Sequence, residues 1–206
     1  MDFADFQPAL FAAATMNAFD GPWCIAGGWA IDLWLGRLSR GHASVAVAVF
    51  REDQVAVRDF LGAGWRFAVP AATAGAPAQP WRYDRQLLML PVRRILASAP
   101  PTRMGAPRRV VELLLHERDS VDWFDPHDPG IRWPVEQWSA RAAFGVPALA
   151  PHLALLAGAR RHHPQDDLDL RSALPHLPPE LRRWLADALS RVGPNHPWRA
   201  TLTSGG

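Results

Sequence analysis

Lysine is absent from this chain of 206 residues, and all 22 positions counted as Lys or Arg are arginine. No Schiff-base lysine and no lysine phosphate ligand are therefore available. Cysteine is almost absent. Cys24 stands alone, so no internal disulfide can form, which fits a cytoplasmic protein. It lies in an apolar run and reads as a core residue, not a nucleophile. No apolar stretch reaches the roughly 18 residues of a membrane span, so no membrane partner is expected. Asp2 and Asp5 stand where an export signal would carry basic charge, so none is expected. The net charge is only +2 and the arginines are scattered, with no patch interleaved with exposed aromatics. Nucleic acid is therefore not an expected partner. The eight histidines show no metal-ligand spacing, so zinc is not expected, and no cofactor is expected.

What the chain does have is apolar mass: it is 49% hydrophobic and contains ten tryptophans. That suffices for one substantial core or two small ones. The spacing predicts a helix over 4–18, a short buried strand over 23–26, a tight turn at Gly27 and Gly28, and a helix over 29–35 that stops at Gly36. Residues 45–50 alternate strictly, with Val45, Val47 and Val49 on one side and Ser44, Ala46 and Ala48 on the other. A helix over 52–61 and a strand over 65–69 follow, then a Pro- and Ala-rich loop over 70–80. Strand-like runs occur at 86–92, 109–116 and 121–124, and 126–134 is turn-rich. Helical patterns cover 134–143, 150–161, 166–174 and 178–191.

Residues 25–37 read Ile-Ala-Gly-Gly-Trp-Ala-Ile-Asp-Leu-Trp-Leu-Gly-Arg, followed by Ser39-Arg40-x-His42 and Val47-Ala-Val-Phe-Arg51. Further on come Val146-Pro-x-Leu-Ala-Pro151, Leu155-Leu156, Asp166-x-x-Asp169, Arg183-Trp-Leu185 and His196-Pro-Trp198. Together these blocks resemble the small-molecule nucleotidyltransferases that modify aminoglycosides and lincosamides. The resemblance implies an α/β (α+β) fold: a mixed sheet flanked by helices over 1–135, then a helical C-terminal domain over 136–206. It also implies a Gly-Gly turn that lets backbone approach a triphosphate, with helix N–H groups facing the anion. In that family an Asp-x-Asp pair on the next strand holds Mg²⁺, and a third carboxylate from a neighbouring strand assists; by position that is Glu112.

Here the Asp-x-Asp positions are Ser44 and Ala46. A hydroxyl is a poor Mg²⁺ ligand beside a carboxylate, and a methyl is none. The family's Trp-x-x-Arg-Arg-Asp-Pro is Trp123-Phe-Asp-Pro-His-Asp-Pro129, and two family lysines fall at Gly158 and Gln165. Anionic metal ligands and cationic phosphate ligands are missing together, as expected of a protein that no longer binds a metal-bound triphosphate.

The remaining candidates are acid–base groups and pocket walls. His42 precedes the altered strand and is placed at the pocket mouth. Glu112 and His116 lie four apart on one strand face and form a candidate acid–base couple, or a salt-bridged carboxylate and a core histidine. Asp166 and Asp169 share a helix face; the resemblance implies that this stretch borders the acceptor side, with Asp166, like His42, a candidate acid–base group, and the alternative is helix capping and pairing with Arg160, Arg161 or Arg171. Gly27, Gly28, Trp29, Ser44, Ala46, Trp81 and Asp169 are candidate contacts to a small-molecule ligand. Three readings stay open. One is a repurposed, metal-independent acid–base enzyme (cyclase, isomerase, lyase or hydrolase) on a small, largely apolar metabolite of secondary metabolism. The second is a non-catalytic small-molecule-binding or scaffold protein. The third is a nucleotidyltransferase with relocated metal ligands. A homodimer is left open as well.

Overall fold

The computed structural model describes residues 3–71, 73, 75–82, 87–103, 108–161 and 163–203. Helix α1 (Gln7–Met16) leads into strand β1 (Trp23–Ala26), helix α2 (Gly28–Leu35) and strand β2 (Val45–Phe50). Helix α3 (Gln54–Leu61) and strands β3 (Arg66–Val69), β4 (Gln79–Pro80), β5 (Arg94–Ser98) and β6 (Val110–Arg118) follow. Strands β7 (Asp122–Asp125), β8 (Asp128–Pro134), β9 (Ser139–Arg141) and β10 (Pro147–Leu149) complete the sheet. Helices α4 (Pro151–Arg161), α5 (Pro164–Ala173), α6 (Pro179–Val192) and α7 (Trp198–Thr203) end the chain.

The main path of the sheet runs β4-β3-β5-β6-β2-β1-β10-β9, with β7 on the far end of β6 and β8 beyond it. The β2–β6 and β1–β10 pairs are parallel and the other pairs are antiparallel, so the sheet is mixed. The alternating Val45, Val47 and Val49 are all buried; beyond Ala46, strand β2 is covered on both faces. Ser44 and Ala46 fall on the other side, as their spacing predicts. They open onto a cleft roofed by α2, α4 and α5.

Three segments depart from the sequence pattern. The apolar run expected as a strand at 86–92 is not one among its described residues, 87–92, and residue 86 lies outside them. There, side chains replace the ladder: Leu88 N–H donates to Gln54 Oε1 at 2.7 Å, and Arg51 Nη1 donates to the Leu88 and Val92 carbonyls at 2.8 and 2.7 Å. The turn-rich 126–134 is mostly strand β8. It pairs only with β7, and an edge strand tolerates Pro129 and Pro134. The helical pattern over 134–143 resolves into a single turn at 135–137, the buried Trp138 and strand β9. The sheet thus continues past residue 135 to Leu149, and the purely helical part of the chain starts at Pro151. None of the described helices is long and apolar enough to cross a membrane.

Candidate functional site

The cleft measures about 860 Å³. Its floor is one face of β2, β5 and β6, its near wall is the start of α2 with the 40–44 loop, and its far wall is α4 and the start of α5. Strand register sets its length. Glu112 sits directly beside Ala46, and His116 beside Phe50. Four residues of strand separate the two ends, about 13 Å.

At the near end, Gly27 adopts φ 65°, ψ −152°, and turns the chain from β1 into α2. Gly28 is needed for close approach: a Cβ there would lie 2.6 Å from His42 Cε1 and would also meet the Arg40 guanidinium. His42 is the most constrained polar group here. Its Nε2 lies 2.6 Å from Asp32 Oδ2, and its ring stacks on Trp29 at 4.4 Å. Asp32 projects from α2 and is fully buried. Its Oδ1 accepts the Ser39 N–H at 3.0 Å and the Ser39 hydroxyl. A buried carboxylate satisfied in this way fixes the imidazole with the proton on Nε2 and the lone pair on Nδ1. Nδ1 has no partner among the described residues and sits over Gly28. Trp29 Nε1 donates to the Ser44 carbonyl at 3.1 Å, anchoring the loop that carries His42.

The residues at the positions where the resemblance implies metal ligands do not fit a metal. Ser44 and Ala46 present a hydroxyl and a methyl to the cleft, and Glu112 is bound to Arg94 at 3.1 Å. Among the described residues no group of three or more His, Cys, Asp or Glu could hold an ion. Glu112 is the one carboxylate at these positions, and its charge is already engaged by Arg94.

At the far end, Trp123 Nε1 donates to His116 Nδ1 at 2.8 Å, which leaves the His116 proton on Nε2. Loss of solvation pushes the His116 pKa down to about 4, against the opposing pull of Asp125. Glu112 and His116 share a face as expected, but about 13 Å of strand and different partners keep them from acting as a couple. Asp125 accepts from His127 N–H and Asp128 N–H at 2.7 and 3.2 Å, and from Arg160 Nε at 2.9 Å. Arg93 lines the same end through the β5 edge, where its carbonyl accepts the Leu115 N–H.

The helical side takes up the two aspartates in structural bonds. Asp166 closes a capping box with His163 at the start of α5 and accepts from Arg161 Nη2 at 2.5 Å. It lines the cleft; Asp169 lies just behind and binds Arg40 through two bonds of 2.7 Å. Gly27, Gly28, Trp29, Ser44 and Ala46 all line the cleft. Trp81 does not. It is buried against Phe67 at 6.1 Å, with Arg58 over its ring at 4.8 Å, on the β3 side of the sheet, and is a packing residue. The sequence pattern did not single out Asp32 or Arg93, and Arg160, expected only as a partner of Asp166 or Asp169, binds Asp125 instead. The available signal for Asp32 was a carboxylate inside the otherwise apolar Trp29–Leu35 run, ten residues before a histidine.

This architecture is a nucleotidyltransferase-like fold. The crystal structure of ANT(2")-Ia in complex with adenylyl-2"-tobramycin matches with a TM-score of 0.54 at 18% identity, over 91% of this chain and 99% of that one. The solution structure of the antibiotic-resistance factor ANT(2'')-Ia matches at 0.51 and 18%, over 93% of this chain and 95% of that one. The lincomycin-bound lincosamide adenylyltransferase LnuA gives 0.49 at 13%, over 81% and 94%. No family model and no curated protein matches the chain.

Proposed function

We propose that this nucleotidyltransferase-fold protein carries out metal-independent general acid–base chemistry on a small molecule held in the cleft, with His42 as the proton acceptor and donor. The observation that carries the reading is the Asp32–His42 pair at 2.6 Å. A buried carboxylate that orients a histidine, one ring nitrogen engaged and the other free beside an open cleft, is the arrangement general-base catalysis needs. Trp29 stacks on the ring from one side. Ser44 and Ala46 leave the adjoining floor small and uncharged, room for an apolar substrate body. Glu112, tied to Arg94, and Asp166, tied to Arg161 and the helix cap, act as wall groups rather than as proton carriers. His116 is a neutral hydrogen-bond donor through Nε2.

A carbon acid with a chromophoric leaving group tests this directly. In 5-nitrobenzisoxazole, the base removes the ring C–H proton, the N–O bond breaks and a nitrile phenolate absorbs in the visible. The protein is expected to accelerate the opening about 10²-fold over buffer, and His42→Gln to remove that acceleration. An equal rate in His42→Gln would take His42 out of the chemistry. Titration calorimetry with nucleoside triphosphates and Mg²⁺ supplies the opposing arm: no Mg²⁺-dependent binding is expected, and micromolar binding would restore the transferase reading.

A further inference from the structure

The far end of the cleft holds more positive charge than its carboxylates balance. Arg93 Nη1 and Arg160 Nη2 are both buried without a hydrogen-bond partner among the described residues. A buried guanidinium N–H left unpaired costs stability unless something else bonds it. Arg160 spends its Nε on Asp125, and the same carboxylate also accepts two backbone N–H groups, so it has little left for Arg93. Glu117 is taken by Arg51 at 2.6 Å. His127 faces the same space, and its pKa is lowered first by burial and then by the charges of Arg93 and Arg160. The indole of Trp123 and the Nε2–H of His116 close the end wall.

We infer that Arg93, Arg160 and His127 form a subsite for an oxyanion, a carboxylate or phosphate group carried at one end of the small-molecule ligand. Arg93 bonds no described side chain and Arg160 spends only its Nε on Asp125, so both cleft-lining guanidinium groups keep charge-assisted donors for such a group. These groups gather at the Leu115–His116 end of β6, and His116 lies about 13 Å along the strand from the Ala46–Glu112 end of the floor. It therefore selects an elongated molecule whose anionic end is fixed here while its body runs along the Leu114 and Leu115 side of the floor toward His42. This inference rests on the acid–base reading for the identity of the reacting end, but the anion subsite stands or falls separately.

The test compares melting temperatures of the full chain at constant ionic strength in chloride, inorganic phosphate and acetate. Phosphate or acetate at tens of millimolar is expected to raise the melting temperature by about 3 °C over chloride. A shift with phosphate alone assigns a phosphoryl group; a shift with acetate assigns a carboxylate. Arg93→Met removes a guanidinium that bonds no described side chain. It is expected to fold with an equal or higher melting temperature and to lose the anion shift. His42→Gln is expected to keep the shift, which separates this subsite from the proton-transfer reading. No shift with either anion, or a shift that survives Arg93→Met, overturns the proposal.

Discussion

Acidification from pH 7 toward pH 4 is expected to remove much of this protein's stability, and two buried histidines are the reason. His152, on α4, is 1% exposed and lies between Trp133 at 4.2 Å and Trp184 at 4.8 Å, with neither ring nitrogen bonded to a conventional partner. Both tryptophan rings meet it in T-shaped geometry, and neither gives its ring nitrogens a hydrogen bond. Burial pushes its pKa down to about 3, and that of His116 down to about 4. An unfolded histidine binds its proton near pH 6.5. Between those values the unfolded state holds more protons than the folded one, so stability rises with pH across the window. It is complete above about pH 6.5 and is lost progressively as pH falls toward 4 and then 3. At about 1.4 kcal/mol per unit, each histidine accounts for on the order of 3–5 kcal/mol. Total stabilities are about 5–15 kcal/mol.

Other groups modify this profile without reversing it. Asp119 is held low by the backbone N–H of Asp122, by Arg132 and by the Val121 N–H, and Asp128 by Arg191 and the Gly130 N–H. A depressed carboxylate stabilises above its unfolded pKa and ceases to do so as pH falls, so both add to acid sensitivity below about pH 4. Asp53, raised by burial and by Glu52, works with the opposite sign. His152→Leu isolates the main contribution. Leucine fills a similar space between the two indoles and brings no proton to bind. The variant is expected to be at least as stable at pH 7, by about 1 kcal/mol or more, and to shift its acid unfolding midpoint down by roughly half a pH unit. Circular dichroism across pH 3–8 reads both quantities. An unchanged midpoint would mean that His152 is protonated in the folded protein without penalty.

The parts of the fold that were legible in the sequence are those where local pattern and tertiary role coincide. Val45, Val47 and Val49 alternate because β2 is a central strand. Gly27 and Gly28 turn because the chain must pass from strand to helix beside other side chains. Where tertiary context prevailed, the pattern misled. Residues 87–90 are apolar enough for a strand, yet Arg51 and Gln54 hold that backbone from the side. Residues 134–143 contain helix formers, yet Trp138 buries itself and β9 completes the edge next to β10. In the site, positions on adjacent strands could be placed from the sequence, and so Ser44, Ala46 and Glu112 meet as expected. Long-range polar pairs could not. The one local trace of the Asp32–His42 pair is a carboxylate in an apolar helix, and nothing near Arg93 announces that Arg160, from a helix far along the chain, shares its end of the cleft. Trp81 shows the limit of residue type as evidence: a tryptophan in an apolar, Arg-rich chain packs as readily on Phe67 and Arg58 as on a ligand.

The second large effect is expected from putting carboxylates back. In the double variant Ser44→Asp, Ala46→Asp, two side chains at i and i+2 of one strand would project into the cleft beside Glu112, which is the direct cross-strand neighbour of position 46. Without a divalent cation, three carboxylates share one patch, Arg94 being already paired with Glu112, and the like charges oppose one another. The variant is expected to lose about 1–3 kcal/mol of stability in a chelating buffer. Adding Mg²⁺ to ten times its dissociation constant should return about 1.4 kcal/mol, a rise of several degrees in melting temperature. The unsubstituted chain, offering a hydroxyl, a methyl and an arginine-bound glutamate, is expected to melt at the same temperature with and without Mg²⁺. The comparison is decisive because it depends on position and not on total charge. The same two carboxylates placed at Met89→Asp and Val110→Asp, two exposed and uncharged positions outside the cleft, should confer no Mg²⁺ response. If the cleft variant is equally indifferent to Mg²⁺, then residues 44 and 46 do not occupy the metal-holding positions of the fold. If instead the natural chain itself gains several degrees with Mg²⁺, a cation is bound through ligands other than these, and the metal-independent reading of the cleft falls with it.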